Sequence, residues 1–210
     1  MKKILSLLSG LASIAIIYSG CAKEPLNNLN SDESRIYITD HDSTVSFSNY
    51  KTYSISDSVA IIDNGNSTMR LNEVDSAYIN AVKKYMSQEG YTLVTKEQNP
   101  DLGVNVSHII STTTGVISYG DYWNYYDGYW NPYYWGYPGY GYYIPYGYGV
   151  YQIKEGAIAV DILDLKNVSA NNKINVIWTG LIRGSGIFDT SIADSQVKAL
   201  FDQSTYLKTN

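Results

Sequence analysis

The sequence predicts an α+β fold: a mainly antiparallel sheet with two helices packed on one face, a two-layer sandwich, and a long Tyr/Gly-rich loop inserted between strands. Three observations predict it. Alternating apolar and polar segments come in runs, as hairpins do, rather than one-for-one with helices. Only two stretches repeat apolar residues at helical spacing. Between the middle strands lies a tract, 119–151, whose glycines and prolines interrupt any period.

The elements follow in chain order. Lys2 and Lys3 precede an uncharged apolar run, Ile4–Tyr18, and then Ser19, Gly20 and Cys21. A basic start, an apolar core too short to span a bilayer and small residues before a cleavage point read as a signal peptide over 1–20. Ser-Gly-Cys resembles the lipobox of lipoprotein precursors, which makes Cys21 the expected lipid-attachment residue; Tyr18 stands where a leucine is usual. Cys21 is the only cysteine, so an intrachain disulfide has no second partner. One acyl chain holds a protein only marginally, and two or three make a durable anchor. Residues 21–34 are polar and rich in Asn and Ser, and read as a flexible tether to a single domain over 35–210.

Within that domain Arg35–Thr39 and Tyr50–Ser56 alternate as strands. Asp57, Asp63 and Asn64–Asn66 read as a loop with turn chemistry. Val74, Tyr78, Ala81, Val82 and Tyr85 then form one face of a helix over about Glu73–Glu89, with Asn72 as N-cap and Gly90 as stop. In Asp101–Ile110, Leu102, Val104, Val106 and Ile110 point one way and Asn105 and Ser107 the other. Gly156–Leu163 and Ile174–Ile182 make a hairpin, and Ala193, Val197, Leu200 and Phe201 mark a last helix.

SFSNYKTYSI, the alternating strand in NPDLGVNVSHI, GAIAVDILD and VIWTG together resemble the bacterial lipoprotein family known as domain of unknown function 4136. The resemblance runs from about Arg35 to the C-terminus. It implies a small α+β envelope lipoprotein and carries over no active-site residue.

Loss of Lys2 and Lys3 moves the formal charge from −5 to −7. Such an acidic chain argues against nucleic acid. The tract 119–151 holds most of the 22 tyrosines and three of the four tryptophans, no Lys or Arg, and only Asp121 and Asp127 as charges. Its rings offer flat faces with polar tips to a glycan or an envelope protein, with Trp123, Tyr126, Trp130, Tyr134 and Trp135 as candidate contacts. The plainer reading is a low-complexity loop that folds over the sheet or stays mobile.

Catalytic chemistry finds little support. His108 lies on the face of Val104 and Val106 and reads as a partly buried strand residue. His41 sits between Asp40 and Asp42, but neighbours on an extended chain point apart, so no metal site is expected. Asp161 and Asp164 could pair as acid and base, although strand-end aspartates more often serve turns. Ser185 in Gly184–Gly186 lacks a partner histidine. No catalytic, metal or cofactor residue is therefore expected. The expectation is a non-enzymatic lipoprotein held at the outer membrane, periplasmic rather than surface-exposed, binding or scaffolding an envelope component through its aromatic tract. The alternatives are a glycan- or peptidoglycan-modifying hydrolase with a carboxylate site and an adhesive, self-associating protein. The sequence leaves the oligomeric state open.

Overall fold

The computed structural model describes residues 34–63, 66–110, 116–118, 132–146, 150–152 and 156–209. From β1 (Ile36–His41) the chain passes a 3-10 turn at Phe47–Asn49 and enters β2 (Thr52–Ile55), β3 (Val59–Asp63) and β4 (Asn66–Arg70). Helix α1 (Glu73–Gln88), β5 (Thr92–Leu93), β6 (Leu102–Ile109) and β7 (Val116–Ser118) come next. Then follow a 3-10 turn at Pro132–Trp135, β8 (Tyr142–Tyr143), β9 (Val150–Gln152), β10 (Ala157–Asp164), the short α2 (Val168–Asn171), β11 (Ile174–Arg183) and α3 (Ala193–Gln203).

The fold is α+β, an open sheet with few helices and mostly antiparallel strands. Nine described strands share one sheet whose spine is β1-β11-β10-β6-β2-β5. The antiparallel centre, β6-β10-β11-β1, holds the strands with the clearest apolar alternation. Parallel pairs occur at the other side. Both β2 and β3 run parallel along β6, from Tyr53↔Leu102 to Ile55↔Val104 and then from Ala60↔Ser107 to Ile62↔Ile109. At the break between them the Ser56 N–H donates to the Val104 carbonyl at 3.0 Å, and the Ser56 hydroxyl to the Ser58 carbonyl at 2.9 Å.

The stretch read as a loop around Asp63 is a hairpin instead: β3 and β4 pair from Val59↔Arg70 to Asp63↔Asn66. Asn-Gly between two strands is the strongest short hairpin signal, but NSTMR shows no apolar alternation to reveal a strand. Helix α1 starts where expected. Asn72 accepts from the Asp75 N–H at 2.9 Å, and the Asp75 carboxylate accepts from the Asn72 N–H at 2.8 Å. This reciprocal pair satisfies two of the donors that a helix start leaves open. Gly90 ends the turn with φ +93°, where a Cβ would also collide with Thr209.

Strand alternation divides the core into two faces. On one, Tyr78, Val82, Tyr85 and Met86 of α1 and Val197, Leu200 and Phe201 of α3 pack on Leu102, Val104, Val106, Ile158, Val160, Ile162 and Trp178. Helix α3 approaches closely at Gly180, where a Cβ would lie 2.6 Å from Trp178 Cη2 and 2.7 Å from Leu200 Cδ1. The other face carries Ala60, Ala157, Ala159, Leu163, Val176 and Leu181, and it too is covered, by Trp135 and Ile144 of the aromatic tract.

Candidate binding surface and the buried polar groups beneath it

The second face of the sheet is small and polar at its centre. Register aligns Asp40 with Thr179, Thr179 with Asp161, and Asp161 with Asn105, so one row crosses four strands. Asp161 and Asn105 are 0% exposed. Over this floor lies the segment 132–146. Trp135 rests on Gly103, whose missing side chain leaves the room: a Cβ there would sit 3.1 Å from the indole. The Tyr137 hydroxyl donates to the Leu165 carbonyl at 2.9 Å, and the Ile174 N–H donates to the Gly141 carbonyl at 2.9 Å, beside the parallel β8–β11 pair. The Tyr146 hydroxyl is 2.8 Å from Thr179 Oγ1, which donates to Asp161 Oδ1 at 2.9 Å. Burial, then the charges of Asp161 and Asp40, push the Tyr146 phenol far above its ordinary range, while the Thr179 hydrogen bond opposes them. Gly136 and Gly139, at φ +85° and +84°, let this chain turn on itself.

Other rings of the segment face outward. Tyr133 is 72% exposed and Tyr143 46%. Lys173 Nζ stands 3.4 Å from the Tyr143 ring centroid, and Lys96 Nζ 4.4 Å from that of Tyr134. A tyrosine or tryptophan seated by its apolar body while a neighbour presents its ring is an arrangement suited to contact. Among the described residues under the cover, both polar atoms of the Asn105 amide and Trp135 Nε1 have no hydrogen-bond partner.

On the helix-covered face Asp75 and His108 are buried beneath a partly exposed Arg70. Arg70 Nε donates to Asp75 Oδ2 at 2.8 Å and its Nη2 to Asp75 Oδ1 at 3.1 Å, and His108 Nδ1 lies 3.2 Å from Asp75 Oδ1. The Tyr78 ring meets His108 edge-on at 5.7 Å, and its hydroxyl is held by the Ile187 carbonyl and by Gln196 Oε1. Burial pushes His108 down to about 4; the Asp75 charge pulls it upward, and Arg70 pushes it further down. Burial alone would raise the Asp75 carboxyl, but hydrogen bonds from Arg70 and the Asn72 backbone, with the His108 and Arg70 charges, hold it below its ordinary value. His108 Nε2 and Gln196 Nε2 complete no hydrogen bond.

The model of the family called domain of unknown function (DUF4136) matches residues 38–204. The chain belongs to that family. A crystal structure of a DUF4136 family protein from Bacteroides thetaiotaomicron superposes with a TM-score of 0.70 at 26% identity, over 85% of this chain and 100% of that one. A PDZ domain protein from Parabacteroides distasonis gives a TM-score of 0.45 at 13% identity, over 83% of this chain and 37% of that one. No curated protein matches.

The residues singled out from the sequence of this DUF4136 chain fall in different places. Cys21, Trp123, Tyr126 and Trp130 lie outside the described residues. Trp135, expected among surface contacts, is 5% exposed and belongs to the second-face core, because only a large flat ring fills the shallow floor at Gly103. Tyr134 is half-buried, and its ring is edge-on to Trp135 at 4.9 Å. Asp161 and Asp164 project from opposite faces of β10, so the structure does not bring them together. Asp164 instead accepts from the Asn167 N–H at 3.0 Å and its amide at 2.8 Å, closing the turn into α2. His41 stacks on Tyr206, while Asp42 accepts from the Thr44 N–H and hydroxyl at 2.9 and 2.6 Å. The Ser185 carbonyl accepts from Arg35 Nε at 3.2 Å. Among the described residues no His, Cys, Asp or Glu group is arranged to hold a metal ion, and none of their helices is long and apolar enough to cross a membrane. The sequence reading missed Arg70 and Asp75; the Asn-x-x-Asp spacing at Asn72–Asp75 carried a capping signal but nothing to show that the carboxylate turns inward to His108.

Proposed function

We propose that this chain is a lipid-anchored protein of the bacterial envelope, held at the outer membrane through Cys21, whose domain binds or scaffolds another envelope component without turning it over. The observation that carries the reading is the double-sided seating of the aromatic segment. Its inward groups, Trp135, Tyr137 and Tyr146, are fixed on the sheet. Fixed in this way, the outward rings of Tyr133 and Tyr143 lose little further freedom when a partner meets them. Support for the anchor is the order Lys2-Lys3, apolar run, Ser19-Gly20-Cys21 in the sequence, and the Ala22-Lys23-Glu24 that follows lacks an aspartate next to the cysteine.

The test is crosslinking in intact cells, with the chain carrying Tyr133→Ala and Tyr143→Ala together. Two aromatic contacts at the centre of an interface are worth at least about tenfold in affinity, so the recovered partner should fall by that much while circular dichroism shows the variant folded. Recovery equal to that of the unaltered chain would remove these rings from the contact. Separately, palmitate labelling should be lost in Cys21→Ser; labelling that persists would overturn the anchor.

A further inference from the structure

A cleft of about 500 Å³ opens where the end of β1, the turn after it and the C-terminal segment meet. It is more open than enclosed, a depression that would meet one face of a small ligand. Its walls are fixed before any ligand arrives. Trp178 Nε1 donates to Ser204 Oγ at 3.0 Å and the Thr209 N–H donates to the Glu89 carbonyl at 3.1 Å, which ties down both ends of the C-terminal wall. On the opposite side the Val45 N–H donates to the Asp42 carbonyl at 3.1 Å, and Phe47 is buried in the core.

The lining has a definite chemistry. His41 and Tyr206 stack with ring centroids 3.9 Å apart and planes 24° from parallel, and Phe47 lies 5.7 Å from Tyr206. Hydroxyls stand at Ser46 and Ser48, and Lys208 supplies a cation. None of the lining residues is a carboxylate, in a chain whose formal net charge is −5. Aromatic faces take the C–H face of a sugar ring, hydroxyls exchange hydrogen bonds with its hydroxyls, and an unopposed ammonium selects a carboxylate.

We propose that this cleft binds an acidic saccharide, its ring against the His41–Tyr206 pair and its carboxylate at Lys208. The proposal uses none of the outward rings of the aromatic segment and stands or falls apart from them.

The chain has two histidines, so the ring signals of His41 in NMR report the cleft while those of the enclosed His108 serve as the internal reference. The full chain is titrated with N-acetylmuramic acid and with N-acetylglucosamine, which has the same ring without the lactyl carboxylate. N-acetylmuramic acid should shift His41 and leave His108 in place. N-acetylglucosamine should bind about two- to fivefold more weakly, the worth of one exposed ion pair. Lys208→Gln, a change at an exposed side chain, should remove that difference, and Tyr206→Ala should abolish both titrations. Absence of a His41 shift with either sugar overturns the proposal. So does equal binding of the two sugars unaffected by Lys208→Gln, or a shift of both histidines together. If Tyr206→Ala disturbs His108 and hence the fold, the Lys208→Gln comparison decides.

Discussion

Acidification should destabilise this domain through His108 before its carboxylates titrate. The imidazole is fully buried between Asp75, Tyr78 and Phe188, and burial pushes its pKa from 6.5 to about 4. Nδ1 lies 3.2 Å from Asp75 Oδ1 and 3.3 Å from Arg70 Nη2, and Nε2 has no hydrogen-bond partner, so an imidazolium, which donates from both nitrogens, would leave one donor buried and unmet. The unfolded chain binds that proton readily near pH 6.5, and the folded chain resists it. Where the unfolded state binds more protons, stability falls as pH falls. The contribution is therefore intact above pH 6.5 and is lost progressively as the pH drops through that value toward 4. Each unit of difference is worth 1.36 kcal/mol, so the loss comes to about 3 kcal/mol. That is a large part of the 5–15 kcal/mol that holds a typical domain together. The lowered pKa of Asp75 adds a loss of the same sign, but only within and below the carboxylate range. Urea unfolding followed by circular dichroism, at half-unit steps from pH 7 to 4.5, measures the slope. His108→Leu starts less stable because it deprives Asp75 of a neighbour, yet its slope over this window should be shallower by nearly the whole histidine contribution. Parallel slopes for the two chains would refute the reasoning.

Three further outcomes follow from the packing. Asn105→Leu replaces a buried amide that makes no hydrogen bond with an apolar side chain of similar size, so the urea midpoint should rise by about 1–3 kcal/mol of stability; a fall would mean that the amide is satisfied. Gly180→Ala places a methyl against Trp178 and Leu200, both in the core, and should cost about 1–3 kcal/mol in the same measurement. Trp135→Ala should cost about 3–5 kcal/mol, as loss of a buried ring does, whereas an unchanged midpoint would return Trp135 to the surface role its sequence suggested.

Strands were legible where the chain alternates. LGVNVSHI and AIAVDILD show their two faces in the order of their residues, and the structure pairs them as neighbours. Their pairing with the preceding strands was not legible. Nothing in TYSI or VAIID announces that both run parallel to β6 along a single edge, because parallel pairing is decided by how the chain returns and not by local pattern. The candidate site was legible in composition and illegible in direction. A tyrosine beside a glycine reads the same whether its ring lies on a sheet or in water. The difference between Tyr133 and Trp135 comes from the floor at Gly103, which the chain supplies some thirty residues earlier.

That floor also bears on the composition of the segment above it. The helix-covered face carries branched and aromatic side chains, and α1 and α3 meet it with side chains of similar size. The second face carries Leu163, Val176 and Leu181 as well, but between them it offers Gly103, Ala60, Ala157 and Ala159 together with Asn105, Asp161 and Thr179. Aliphatic residues alone would cover such a surface poorly: they fill its depth but leave the polar row without partners. Tyrosine supplies both a broad ring for the shallow floor and a hydroxyl for polar groups below it, as Tyr146 does at Thr179 in the row and Tyr137 at the Leu165 carbonyl beyond the end of β10. Within 132–146, then, tyrosine content is first a requirement of the sheet. A tyrosine count is consequently a poor measure of binding capacity, and a contact role rests on the rings that the floor does not need. Among the described residues those are Tyr133 and Tyr143, and a substitution at either tests recognition with the least disturbance of the fold.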